Sequence, residues 1–365
     1  MKTAAAPISL DQLGWDPTFA GSLEALDQPD LVPARVVIEH NHLYRIHAAD
    51  GERLAEVSGC LRHAATGPDT LPAVGDWVAV RVTPNAPNEQ AAIRAVLPRR
   101  SCFSRKAAGD PTARQVVAAN IDTVFLVSGL DGDLNTKRVE RYLVAAAEGG
   151  VVPVIVLNKT DCCDAVDDAV ASVQAIAPGV LVHATSCVER RGLDALASDL
   201  TPGRTVALLG SSGVGKSTII NCLLGADRQA TRSVRERDRR GRHATVHREL
   251  LVRQEGGVII DTPGMRELRL WDPGQALDST FDDIDTLTQQ CRYRDCRHRV
   301  EPGCAVQLAV AEGRLPNERL DNFHKLRNEQ EALERRRDQL AQLTESRRTK
   351  AIHRTKRATR KLPNG

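Results

Sequence analysis

At 365 residues the chain can hold two or three domains, and 41% hydrophobic with 27% charged residues is the balance of a soluble globular protein. The longest apolar runs, such as VVPVIVL at 151–157, fall well short of the roughly 20 residues a membrane span requires. The N-terminal MKTAAAPISLDQLGW is too short in apolar residues for a secretory signal, so a cytosolic protein without a membrane partner is expected. The net charge of +3 hides an asymmetry: from Arg347 onward eight Lys or Arg stand without one acid, which leaves the preceding chain at −5 (the whole chain's +3 less these eight). Nine cysteines, an odd number unevenly spread, argue against a disulfide framework, and three of them crowd into 291–304.

In chain order, residues 1–33 read as a loosely ordered leader. Between 34 and 100 the short alternating segments ARVVIEH, HLYRIHAA, RLAEVSG, DWVAVRV and AAIRAVL, split by turn residues, predict a small barrel of about five strands. An OB-fold is the natural candidate, though the pattern alone does not separate it from an SH3-like barrel. From 101 to 275 strands alternate with helical stretches: IDTVFLVS, NTKRVERYLVAAAEG, VVPVIVLN, a helix over 165–177, VLVHATS, TVALLG, KSTIINCLL, HRELLVR and GGVIID. That rhythm predicts an α/β domain with a largely parallel sheet. Residues 276–345 read as helical and cysteine-bearing, with a charged helix over 317–345, and 346–365 as a basic tail.

The stretch GSSGVGKST (Gly210, Ser211, Ser212, Gly213, Val214, Gly215, Lys216, Ser217, Thr218) follows an apolar strand and opens a helix, the context a P-loop requires. Its glycines let backbone N–H groups turn onto phosphates at a helix N-terminus; Lys216 is expected to reach the β and γ phosphates, and the Ser217 hydroxyl to bind Mg²⁺. DTPG at 261–264 closes the strand GGVII. Asp261 there suits the Mg²⁺ shell and the Gly264 N–H a γ-phosphate. NKTD at 158–161 closes another strand: Asp161 can accept from the guanine N1–H and amine, which adenine lacks, while Asn158 and Lys159 frame the base. ATS at 184–186 offers the N–H groups of Thr185 and Ser186 to the guanine oxygen. The four motifs together predict a GTPase binding GTP and GDP. Base recognition precedes phosphate binding, the reverse of the usual order, so the domain is expected to be circularly permuted.

CRYRDCRHRVEPGC sets Cys291, Cys296, His298 and Cys304 at C-x₄-C-x-H-x₅-C, four soft ligands suited to one closed, structural tetrahedral Zn²⁺. The basic run at the C-terminus should attract phosphates without sequence preference, and with only 3% aromatic residues, structured RNA read by shape and phosphate is the expected partner.

These features together resemble the circularly permuted, small-ribosomal-subunit-dependent GTPases of the RsgA (YjeQ or EngC) family. The likeness runs over about 34–330 and includes PAVGDWV, RQVVAANIDTVFLV, the permuted motifs and the cysteine cluster. It implies an N-terminal OB-like barrel, a central permuted P-loop GTPase domain and a C-terminal helical zinc-binding domain. It also implies a maturing small ribosomal subunit with its rRNA as partner, and a monomer is expected. Met265 occupies the place where Ras-like proteins carry the water-positioning Gln. The resemblance points instead to His243 in GRHATV, and assigns Thr245 to Mg²⁺ and γ-phosphate sensing. Two other readings compete: a P-loop ATPase or nucleotide kinase, against which Asp161 speaks, and a nucleotide-gated RNA-binding protein with incidental hydrolysis, to which Met265 lends support.

Overall fold

The computed structural model describes residues 8–40, 43–83, 89–107, 110–225, 248–261 and 274–359. The described part of the leader is folded, contrary to the loose order expected of it. Asp16 caps the helix α1 (Pro17–Glu24) by accepting from the N–H groups of Thr18 and Phe19, and Pro17 sits at the first turn, where its missing N–H costs nothing. Leu13 and Phe19 are buried, and Trp15 meets Trp77 edge-on with ring centroids 4.8 Å apart. The leader's partner is thus an aromatic residue some sixty positions downstream.

Five strands form the barrel: β1 (Leu31–His40), β2 (Leu43–Ala48), β3 (Gly51–Val57), β4 (Trp77–Arg81) and β5 (Ala91–Val96), with the short helix α2 (Gly59–Ala64) between β3 and β4. Their order β1-β2-β3-β5-β4 closes by a β1–β4 pairing, and β3 with β5 is the parallel pair. That closure is the OB arrangement and resolves the choice the strand pattern left open. Alternate residues Ala34, Val36, Tyr44, Ile46, Val78, Val80 and Ile93 fill the interior. A hairpin that the sequence reading did not separate follows, β6 (Cys102–Ala107) and β7 (Asp110–Ala119).

The next strands are β8 (Thr123–Gly129), β9 (Val152–Asn158), β10 (Leu181–Thr185), β11 (Thr205–Gly210), β12 (Glu249–Val252) and β13 (Val258–Asp261). They line up as β10-β9-β8-β11-β13-β12, parallel except for β12. Side chains alternate between two cores. Val124, Leu126, Ile155, Leu157, Ala207 and Leu209 face α3 (Thr136–Glu148) and α4 (Val166–Ile176); Phe125, Val127, Val154, Val156, Val206 and Leu208 face α5 (Leu193–Ser198) and α6 (Lys216–Leu224). The strand entered first in the chain, β8, lies beside β11, so the permuted halves interleave in one sheet. One further pairing, Ile38 with Glu249, joins β1 of the barrel to β12.

Arg35 holds the three parts together at the amino ends of β8 and β11. Its buried guanidinium donates to the carbonyls of Leu13, Gly75 and Asn120 and to Thr205 Oγ1. Burial lowers its pKa to about 10, so it stays charged at neutral pH, compensated by those acceptors and by Asp122 and Asp76.

The helices Gly274–Thr280, Asp282–Thr288, Ala305–Ala311 and Asn317–Thr359 complete the chain. The last does not stop at 345 as expected but carries on through much of the basic run. It docks on α3: Arg319, 5% exposed, donates to Glu140, 2% exposed, at 2.6 Å and to Asp283 at 2.7 and 2.8 Å. Asn322 donates to the same Glu140, and Arg141 forks onto Glu329 with two bonds of 2.8 Å.

Candidate nucleotide site and metal centre

Parallel pairing sets Thr185 level with Asn158, Asn158 with Gly129, and Gly210 with Val127. The carboxyl ends of β10, β9, β8 and β11 therefore share one edge of the sheet, where α/β folds bind ligands, and β13 ends there at Asp261. Strand register alone gathers NKTD, ATS, the P-loop and the start of DTPG.

Within the P-loop, Gly210, Gly213 and Gly215 all have positive φ. A Cβ on Gly210 would stand 2.3 Å from the Val127 carbonyl oxygen, and one on Gly215 2.3 Å from Asn158 Nδ2, so neither position admits a side chain. Val214 is buried, anchoring the loop, while Ser212 and Gly213 are exposed. Lys216 folds its ammonium over the carbonyls of Gly210 and Ser211, at 2.7 and 2.6 Å. Ser217 and Thr218 follow in the first turn of α6.

Asn158 is almost fully buried, and its amide does more than frame a base. Nδ2 donates to the Val214 carbonyl at 2.9 Å, and Oδ1 accepts from Thr185 Oγ1 at 3.2 Å and from the Cys187 thiol at 3.7 Å. One side chain thereby ties NKTD to the P-loop across 56 positions of sequence. Asp161 stands exposed at the rim, with Oδ1 accepting from Ser186 Oγ at 2.5 Å. That hydroxyl holds the Asp161 carboxyl below its usual range and so keeps it an ionised acceptor. Lys159, in left-handed backbone geometry, pairs with Asp131 of the β8–α3 loop.

Asp131 and Cys187 escaped sequence reasoning: Asp131 carries no spacing signal, and Cys187 acts through a side chain that only the folded sheet brings near. Gly264, Met265, His243 and Thr245 lie outside the described residues.

Cys291, Cys296, His298 and Cys304 come together as the spacing predicts, with all four ligand atoms within 4.8 Å of one another. A tetrahedral zinc with bonds of about 2.3 Å to sulfur and about 2.05 Å to nitrogen has edges of about 3.8 Å between sulfurs and about 3.5 Å between sulfur and nitrogen. Here Cys291 and Cys304 are 3.9 Å apart, and His298 Nδ1 is 3.5 and 3.4 Å from their sulfurs. The donor set fits the ion. Burial, with His324 and Arg327 nearby, lowers the pKa of His298 and keeps the imidazole neutral, the form that can ligate. Gln307 Nε2 fixes the His298 carbonyl at 2.7 Å.

A family profile described as RsgA GTPase matches residues 96–271, and one described as 50S ribosome-binding GTPase matches 205–351. The small ribosomal subunit biogenesis GTPase RsgA of Opitutus terrae is 45% identical, covering 97% of this chain and 99% of its own. The protein of that name from Syntrophotalea carbinolica is 40% identical over 95% and 96% of the two chains. Among solved structures, YjeQ from Thermotoga maritima superposes with a TM-score of 0.60 at 25% identity, over 82% of this chain and 98% of that one. YloQ, described as a circularly permuted GTPase, shares the fold with a TM-score of 0.57 at 23% identity, over 83% and 96%. The reversed motif order, the interleaved sheet and these likenesses agree: the chain belongs to the RsgA family and is a circularly permuted GTP hydrolase.

Proposed function

We propose that this GTPase acts on the small ribosomal subunit during its maturation, hydrolysing GTP slowly alone and faster when docked. The observation that carries the nucleotide part is the Asn158 amide, which fastens the guanine motif to the phosphate loop. The subunit assignment is supported by the printed names of relatives at 40–45% identity that span nearly the whole chain. Asp161 would accept from guanine, with Lys159 and the N–H groups of Thr185 and Ser186 around the base. The P-loop N–H groups and Lys216 would hold the phosphates. Ser217, Asp261 and Thr245 are the residues that would hold Mg²⁺, which when bound neutralises charge developing on the phosphate oxygens. Zinc at Cys291, Cys296, His298 and Cys304 would be structural, since all four positions are filled by protein. With Met265 in place of the usual Gln, His243 is the group we assign to orienting the attacking water.

The test is GTP turnover with purified small subunits, large subunits and neither; the large-subunit arm answers the second matching profile. Stimulation by small subunits alone is expected. His243→Ala should keep GTP and subunit binding yet lose on the order of 10³-fold of the stimulated rate. Stimulation by large subunits only would overturn the assignment. An undiminished rate in His243→Ala would move water positioning to another group.

A further inference from the structure

The strand β8 ends at Gly129, and from there the chain runs beside NKTD: the Leu130 N–H donates to the Asn158 carbonyl at 2.8 Å. Gly129 does not have the left-handed backbone that would call for glycine. What excludes a side chain there is a neighbour. A Cβ on Gly129 would stand 2.5 Å from Asp131 Oδ1, so the Asp131 carboxylate is folded back over the bare end of β8. The same Cβ would lie 3.6 Å from Lys159 Cδ, which lays the lysine stem across that end as well. Carboxylate and stem share the place because the Lys159 ammonium donates to Asp131 Oδ2.

Lys159 has much to gain from being held. Its backbone sits at φ 66° and ψ 42°, a left-handed conformation that residues with a Cβ rarely adopt. Its long side chain is among those with the most rotamer freedom to lose on being ordered. A single short turn, Thr160–Cys162, carries the chain from Lys159 to Asp161, and the Cys162 N–H closes it on the Lys159 carbonyl at 2.9 Å. The stem is thus fixed at both ends, by the turn at its backbone and by Asp131 at its tip. The hydrogen bond from Lys159 holds the Asp131 carboxyl below the usual carboxylate range, so the pair stays charged at neutral pH.

We propose that Asp131 is a positioning residue for guanine nucleotides: by holding the Lys159 ammonium it lays the lysine stem along the base site before the nucleotide arrives, and binding does not have to order it. This rests on the reading of NKTD as the guanine motif and goes beyond it by giving a role to a residue outside the motif. The two carboxylates then divide the work. Asp161 reads the edge of the base and decides which base binds; Asp131 acts through Lys159 on features that guanine and xanthine share, and sets affinity alone.

The experiment measures the affinity and dissociation rate of fluorescently labelled GDP, and GTP turnover, on the full-length chain. Asp131→Ala, Gly129→Ala and Lys159→Met are compared singly and combined. Asp131→Ala is expected to weaken GDP binding on the order of fivefold, the cost of ordering one long side chain, chiefly through faster dissociation. KM for GTP should rise by the same factor with kcat unchanged, because the stem meets the base equally in ground and transition states. The ratio of GDP to XDP affinity should stay as in the parent. The deficit should narrow toward 1 M salt, where the Debye length is about 3 Å and the pair is screened in the parent too. Gly129→Ala, whose methyl displaces the carboxylate but leaves its charge, should reproduce the loss, and Asp131→Glu should recover part of it. In Lys159→Met, which keeps a stem but has no ammonium to hold, neither change should weaken GDP binding further. Unchanged thermal unfolding in each variant shows that the fold survives. Unaltered GDP affinity in Asp131→Ala, tighter binding, or a loss that persists in full in Lys159→Met or at high salt would overturn the proposal. A parent that binds ADP as well as GDP would instead overturn the guanine reading; a GDP-selective parent with Asp131→Ala unaffected sinks the proposal alone.

Discussion

Arg319 is the residue whose loss should most directly uncouple the C-terminal helices, with the Cys/His cluster between them, from α3. It donates to Glu140, to both oxygens of Asp283 and to the carbonyls of Ile176 and Thr280, and it lies 4.8 Å from the centre of the Phe281 ring. Arg319→Ala leaves Glu140 buried with Asn322 as its remaining side-chain donor. Removing one member of a buried pair costs about 3–5 kcal/mol, because the orphaned charge cannot regain water. The Asp283 share is small, about 1 kcal/mol or less, since that side chain is 45% exposed and solvent replaces its partner. The assay is urea unfolding of the zinc-loaded chain, with zinc release to a chromogenic chelator reporting the C-terminal helices and GDP binding reporting the nucleotide site. Zinc release should shift to lower urea ahead of GDP loss. Arg319→Met combined with Glu140→Gln should recover much of the deficit, and the Arg319→Ala and Glu140→Ala cycle should show coupling above about 2 kcal/mol. Single variants within about 1 kcal/mol of the parent, with additive effects, would refute the latch.

Asp161→Asn should weaken GDP binding at least about tenfold and shift preference toward xanthine nucleotides, whose O2 accepts where guanine donates; competition binding with GDP and XDP checks it. Metal analysis of protein purified without added zinc should find one zinc per chain, and Cys296→Ser should destabilise the C-terminal helices while sparing GDP affinity; a metal-free, fully folded parent would end that claim. Asp16→Asn keeps a competent helix cap but removes the Arg100 hydrogen bond and ion pair that hold the Asp16 carboxyl below the usual carboxylate range. A depressed carboxyl stabilises the fold above its unfolded pKa, so the deficit of the variant, about 0.2–1 kcal/mol for so exposed a pair, should be constant at neutral pH, shrink in acid below the usual carboxylate range and be gone once pH passes through the lowered folded-state pKa. A deficit that persists in acid would place the effect in the cap.

The motifs and strands were legible because each carries a local signature: apolar runs ending in GSSGVGKST or NKTD, and ligand spacing in the zinc loop. The leader was not, since Leu13 and Phe19 are scattered apolar residues whose burial depends on Trp77, far along the chain. The hairpin β6–β7 hid because Ser104, Arg105 and Lys106 break alternation, and the pairing itself shifts register there. Asn158 was read as a base contact; its tie to Val214 emerges only when β9 and β11 flank β8.

The helix Asn317–Thr359 has an electrostatic consequence. At 1.5 Å per residue it carries on about 45 Å past Glu329, its ion-paired contact with α3. The Debye length at physiological salt is about 8 Å, so the helix backbone near Thr359 lies several Debye lengths beyond that contact. The basic run from Arg347 onward is therefore not cancelled by the charges packed around α3. An approaching polyanion meets a particle with a preferred end, and its first encounter is oriented before any specific contact forms.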